Sequence, residues 1–472
     1  MNNAARPWLA GILAGGLLLP AVAGAQGTTD DLAALRAEIA ALRQDYESRL
    51  YQLEQRLEQV EAAAPVAATA APASTPPPEP AVAAGPGGSG RNSSFNPAIS
   101  AILTGTYGDY SQDPDSYAIA GFFPAGEEFG PGERGFSLGE SEVTLAASVD
   151  PYFTASLTAA LAGDGAIDVE EAYARSTSLP AGMSLKAGRF FSGIGYLNEV
   201  HAHAWDFVDQ PLAYQAFFGG QLAQDGVQVK WLAPTDLFLE FGAEAGNGDA
   251  YPGTDDGGNG LNSYALFAHV GGDLGDSIGW RAGLSWVDAN ATSREYDDVD
   301  AAGNDVLNAF SGESRTWIVD ATLKFAPGGD ARRHAIELQA EYMRREESGR
   351  LAYDLGGAAL DGSFSSRQDA WYAQAVYRLA PRWRMGLRYD ALDSGDPRIG
   401  LVRDGTLPAA DFPLLQHATP SRITLMGDWS PSEFTRLRLQ YAWDDARDSG
   451  NTDEQWLLQY IYAIGAHGAH KF

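Results

Sequence analysis

The run Glu199-Val-His201-Ala-His203-Ala-Trp205-Asp206-Phe-Val-Asp209 gathers two imidazoles and three carboxylates on a short stretch of chain. Imidazole nitrogen and carboxylate oxygen are the ligands Zn²⁺ takes where no thiolate is present. His201 and His203 are therefore candidate metal ligands, with Glu199 and Asp206 as further donors. The competing use of the same groups is packing and hydrogen bonding within the segment. The surrounding stretch, residues 191–222, is rich in aromatic side chains rather than in Gly and Ser. A connection that apolar must pack against something, and long structured connections tend to be functional.

Other chemistries find little support. The chain has no Cys, which excludes disulfides, thiolate metal sites and a cysteine nucleophile. It has no Gly-x-Ser-x-Gly elbow, no phosphate-binding Walker loop and no His-Glu-x-x-His. It is therefore not expected to be an enzyme. The formal charge of −30 argues against a nucleic-acid partner, which requires a basic surface.

The elements that must position these groups read as strands. From Phe95 onward the apolar pattern has period two. Phe153, Ala155, Leu157, Ala159 and Leu161 alternate with Thr154, Ser156 and Thr158. Ile336, Leu338, Ala340 and Tyr342 alternate with Glu337, Gln339 and Glu341, and Leu437, Leu439, Tyr441 and Trp443 with Arg436, Arg438 and Gln440. Trp or Tyr recurs at segment ends on the apolar face, the placement an interfacial aromatic girdle needs. Short turns are expected at 150–151, 179–182, 233–236, 272–277, 326–331, 380–382 and 430–432. Longer connections are expected at 111–135, 191–222, 246–262, 289–314, 346–367 and 392–419, with brief ones near 163–165 and 446–453. The expected fold is an all-β, antiparallel transmembrane barrel of about 16 strands spanning residues 95–472.

The polar face of those strands would line the lumen. Its acidic members are Glu140, Glu142, Glu240 and Glu244, from the first half of the barrel segment. Its basic members, Arg378, Arg384, Arg388, Arg422, Arg436 and Arg438, come from the second half. A charged lumen is cheap when water fills it, so a wet pore is expected, with the 191–222 loop folded inward as a constriction carrying Glu199, His201, His203, Trp205, Asp206 and Asp209. Facing charges of opposite sign would set up a transverse field; the same groups could equally be structural ion pairs in the wall.

Ahead of the strands, residues 1–25 read as a signal peptide, with Arg6, an apolar core and Ala23-Gly24-Ala25 as cleavage site. Residues 26–61 carry a heptad seam, Leu32, Leu35, Ile39, Leu42, Tyr46, Leu50, Leu53, Leu57 and Val60, expected to form an α-helical coiled coil. Residues 62–94 are an Ala/Pro/Gly-rich, disordered linker. The chain closes on Phe472 after the alternating Trp456, Leu458, Tyr460, Tyr462 and Ile464. That ending is similar to the signal read by the barrel-assembly machinery.

Gly188-Arg-Phe-Phe-Ser-Gly-Ile-Gly195, His201-Ala-His203-Ala-Trp205-Asp206-Phe207 and Asp209-Gln-Pro-Leu212 carry a resemblance. The chain resembles porin-like outer-membrane barrels related to the phosphate-selective porin family, some of them labelled zinc-regulated TonB-dependent outer-membrane receptors. The resemblance implies a homotrimeric pore in the outer membrane of a Gram-negative bacterium, among lipid and lipopolysaccharide. It also implies a periplasmic N-terminus with the coiled coil in the periplasm, where it could reach peptidoglycan or another periplasmic partner. Three functions stay open: passive diffusion of small hydrophilic solutes or ions without a cofactor, metal uptake through Zn²⁺ held by His201 and His203, and a structural tether.

Overall fold

A computed structural model describes residues 97–125, 130–161, 165–254, 259–447 and 450–465. The expected signal peptide, coiled coil and linker, and the terminal Phe472, lie outside the described residues.

Sixteen antiparallel strands close into a barrel. They are β1 Ala98–Tyr110, β2 in two pieces (Gly135–Leu138 and Ser141–Ser148), β3 Phe153–Leu161, β4 Ile167–Ser176, β5 Met183–Phe191 and β6 Ala223–Leu232. There follow β7 Phe238–Gly246, β8 Ser263–Leu274, β9 Ile278–Val299, β10 Asp305–Phe325 and β11 Ala335–Tyr353. The last five are β12 Leu360–Ala380, β13 Trp383–Asp393, β14 Ser421–Ser432, β15 Thr435–Asp444 and β16 Asp453–Gly465. Each strand pairs with its sequence neighbour, and β1 closes the ring by pairing with β16 from Ser100↔Gly465 to Tyr110↔Gln455. Closure leaves no edge strand among the described residues, the condition for a sheet in hydrocarbon.

The period-two pattern is realised as an apolar outside. Trp456, Leu458, Tyr460, Tyr462 and Ile464 are all exposed on the outer face of β16, while Gln455 and Gln459 are buried inside. Aromatic pairs mark both edges of the outer belt. Trp383 stacks on Trp429 at 6.0 Å near the short turns, and Trp371 meets Tyr389 at 5.4 Å nearer the long connections. Trp383 and Tyr389 are six residues apart on β13, about 20 Å at ~3.4 Å per residue, which matches an apolar band of about 25 Å. Six of the seven short turns fall at the expected segments; the last lies at 433–434 rather than 430–432, which belong to β14.

Two expected loops are strands instead. Residues 289–314 and 346–367 carry β9–β12 beyond the belt as long hairpins, with tips at 300–304 and 354–359. Their acidic residues and glycines suggest coil, but Tyr296, Val306, Phe310, Leu351, Tyr353 and Phe364 share one face and form a separate core. Phe123, Ile399, Leu401 and Phe412 from other connections complete it.

The expected wet lumen is filled in part by side chains. Phe267, Val287, Ile318, Met343 and Tyr372 point inward and pack with Ile194, Leu197, Leu212, Tyr214, Phe217 and Leu222 of the 192–222 loop. The middle of the barrel holds an apolar core, because the loop supplies the aromatic side chains that displace water there.

The outer belt makes a direct prediction. Leu439 is half exposed at the middle of β15. Leu439→Arg should lower folding stability in lipid vesicles by about 2–4 kcal/mol, read from denaturant titration.

Candidate functional site

The site is built by the loop between β5 and β6. At Phe191 the chain turns inward, held by Glu244 of β7, which accepts from Ser192 Oγ at 2.5 Å and Gly193 N at 2.8 Å. Gly195 follows at φ +59°; a Cβ there would sit 2.4 Å from Glu341 Oε2, so the turn requires glycine. Glu341 of β11 accepts from Leu197 N at 3.1 Å, Tyr196 N at 3.2 Å and the hydroxyls of Tyr214 (3.0 Å) and Tyr372 (2.6 Å). Asn198 ties the loop's ends together, donating to Ser192 O and Leu222 O and accepting from Leu222 N. The short helix α1, Leu212–Phe218, is buried along its whole length, and Asp390 caps it by accepting from Leu212 N at 3.0 Å.

Between Glu199 and Gln210 the loop runs along the inner wall and presents charges that match it. Glu199 meets Lys230 of β6 at 3.2 Å and Lys186 of β5 at 3.9 Å. His201 lies 3.2 Å from Glu171 through Nε2, and 3.4 Å from both Glu142 and Glu170 through Nδ1. His203 Nδ1 meets the other oxygen of Glu142 at 2.7 Å.

Past Trp205 the wall turns basic. Arg384 binds Asp206 at 2.7 Å and Asp428 at 2.5 Å, and Arg436 shares Asp428 at 2.8 Å. Asp209 takes Arg388 on one oxygen and Arg422 on the other, each at 2.8 Å. Burial works against a charge on this loop carboxylate, and the two guanidiniums, one on each oxygen, offset it. Arg438 donates to the carbonyls of Trp205 and Phe207 at 2.5 and 2.6 Å.

The sequence-predicted residues are thus brought together, with one regrouping. Glu142, Glu244, Arg388, Arg422 and Arg438 face inward but are packed beneath the loop rather than bared to water. Glu240, Arg378, Arg384 and Arg436 keep partial access, and Glu140 stands exposed in the break of β2. Of the donors expected from the sequence, Glu199 is drawn to lysines and Asp206 to Arg384, while His201 and His203 both lie against Glu142. His201 instead has strand carboxylates as neighbours, and the atoms of Glu142, Glu170 and His201 lie within 4.8 Å of one another.

Glu170 and Glu171 are absent from the sequence-based set. A β-bulge explains them: Thr158 pairs with Glu171 and Ala159 with Val169, so Glu170 is an extra residue and both carboxylates turn inward. The signal was available, since strict alternation would put one of two adjacent acids in lipid.

No protein-family model matches the chain. An uncharacterized protein of Aquifex aeolicus (strain VF5) is 30% identical over 355 residues, covering 72% of this chain and 71% of that protein. The chain belongs to the same family as that protein. Among solved structures, a loop L8 deletion mutant of OmpT, an outer membrane protein of Vibrio cholerae, matches with a TM-score of 0.50 at 13% identity. That match covers 78% of this chain and 99% of the other. An anion-selective porin from Comamonas acidovorans matches with a TM-score of 0.47 at 11% identity, over 78% of this chain and 99% of that one. At such identities the likeness is one of fold, a closed antiparallel β-barrel.

Asp209→Ala leaves two buried guanidiniums without their shared carboxylate. Removing one partner of a buried pair costs about 3–5 kcal/mol. Amides of residues 196–212 should then exchange hydrogen faster than in the wild type, while those of β13–β15 stay protected; unchanged loop protection would refute the anchoring role.

Proposed function

We propose that the protein is an outer-membrane channel for passive diffusion of small hydrophilic solutes or ions, with the 192–222 loop as its constriction. The observation that carries this reading is the loop itself. It is bound inside a closed barrel through His201, Asp206 and Asp209, where a fixed constriction would narrow the passage. The apolar outer belt with its aromatic edges supports membrane insertion, and the short turns on the side of both strand termini support a periplasmic N-terminus.

The wall supports no phosphate preference. Arg384, Arg388, Arg422 and Arg436 are matched by Asp206, Asp209, Asp390, Asp428 and Asp444. Acidic residues dominate several outer connections, among them Asp113, Asp115, Asp249, Asp297 and Asp300. A mouth of that sign concentrates cations at low ionic strength and loses the effect as salt screens it.

Single-channel recording in a planar bilayer tests this reading. Stable steps with a cation-selective reversal potential that shrinks between dilute and molar salt are expected, and steps in groups of three would report a trimer. A variant with residues 199–209 replaced by a short Gly/Ser bridge should conduct about twofold more or better. A silent membrane from correctly folded protein refutes the reading.

A further inference from the structure

We propose that Glu142, Glu170 and His201 form a binding site for one divalent transition-metal ion of the Zn²⁺ or Co²⁺ class, joining the loop to β2 and β4. The inference stands on local geometry and goes beyond the channel reading.

His201 Nδ1 is 3.4 Å from Glu142 Oε2 and 3.4 Å from Glu170 Oε2. Ligands about 2.0–2.2 Å from a tetrahedral ion are separated by about 3.3–3.6 Å, so these edges fit a bound metal and are long for hydrogen bonds. His201 Nδ1 and Glu170 Oε2 are both buried and make no hydrogen bond. Glu170 is a carboxylate whose side chain is only 9% exposed, aimed at a neighbouring ligand atom. Buried polar atoms in that state call for a partner.

The surrounding groups serve a metal as well. His201 Nε2 lies 3.2 Å from Glu171 Oε2, so the ring's second nitrogen can donate to a carboxylate while Nδ1 faces the ion. That arrangement fixes the tautomer and raises the basicity of a metal-bound imidazole. His203 Nδ1 holds Glu142 through Oε1, leaving Oε2 for the ion. The bulge after Val169 is what brings Glu170 into the set. An imidazole with two carboxylates and a fourth position for water is a donor set that suits Zn²⁺ and Co²⁺ better than Mg²⁺.

The full-length protein, folded in detergent, is titrated with Co²⁺ by visible absorption and with Zn²⁺ by calorimetry. Expected is saturable binding of one ion per chain. Glu170→Gln, which keeps the side chain's shape, and His201→Ala should each weaken it by more than about tenfold. His417→Ala and the double variant His467→Ala/His470→Ala should retain it. No binding by the wild type, equal binding in both site variants, or loss only in the His467/His470 variant overturns the site. Metal binding by a protein that does not conduct would defeat the channel reading alone; conduction without metal binding would defeat this one alone.

Discussion

Buried arginine sets the terms of this structure. Arg388 and Arg438 are almost fully withdrawn from water inside the barrel, and Arg422 nearly so. A guanidinium out of water is costly unless most of its donors find acceptors. The wall supplies some acceptors, such as Asp390 and Asp444, but the remaining ones come from the loop. Asp206 and Asp209 provide charge, and the carbonyls of Trp205, Phe207, Asp209 and Gln210 provide backbone oxygens. The loop's path from Trp205 to Gln210 is therefore the path that satisfies the arginines.

The converse holds for the loop's own backbone. An irregular segment at membrane depth survives only where its peptide groups are satisfied by protein or by water in a cavity. Here the inward carboxylates do much of that work. Glu244, Glu341 and Asp390 accept from the N–H groups of Gly193, Leu197 and Leu212. Wall and loop satisfy each other, and the apolar cluster around Phe267, Ile318 and Tyr372 excludes water from the space between these contacts. Weakening one group then exposes another, so contributions around the loop should be strongly coupled.

Much of the frame is legible in the sequence because alternation and turn residues are local signals. The lipid face of β16, the turns and the inward placement of Arg388 or Glu142 follow from a two-residue period. The inward packing of the aromatic loop follows from its apolar content. What is not legible is pairing. Asp209 meets Arg422 across more than two hundred positions, and nothing local selects that arginine over its neighbours. The bulge at Glu170 shifts register by one residue and so changes which acids reach the lumen, a change that periodicity alone averages away. The long hairpins of β9–β12 were hidden for a related reason: their apolar face has meaning only once Phe123, Ile399 and Phe412 arrive from distant connections.

The two arcs of the wall also differ in how their charge is closed. On the basic arc, guanidiniums and aspartates alternate at 2.5–2.8 Å, as in Asp206–Arg384–Asp428–Arg436, and strong permanent charges cancel. On the acidic arc, Glu142, Glu170 and Glu171 surround His201, with His203 on Glu142. An imidazole carries at most one positive charge and takes it only by binding a proton. Three carboxylates around such a group make a site that attracts whatever cation fits, whether a proton, a metal ion or a solute in passage. The loop is thus fixed firmly on one side and conditionally on the other. The charge balance on that side, where the loop meets β2 and β4, thus depends on the cation held there, as it does not along the guanidinium–aspartate chain.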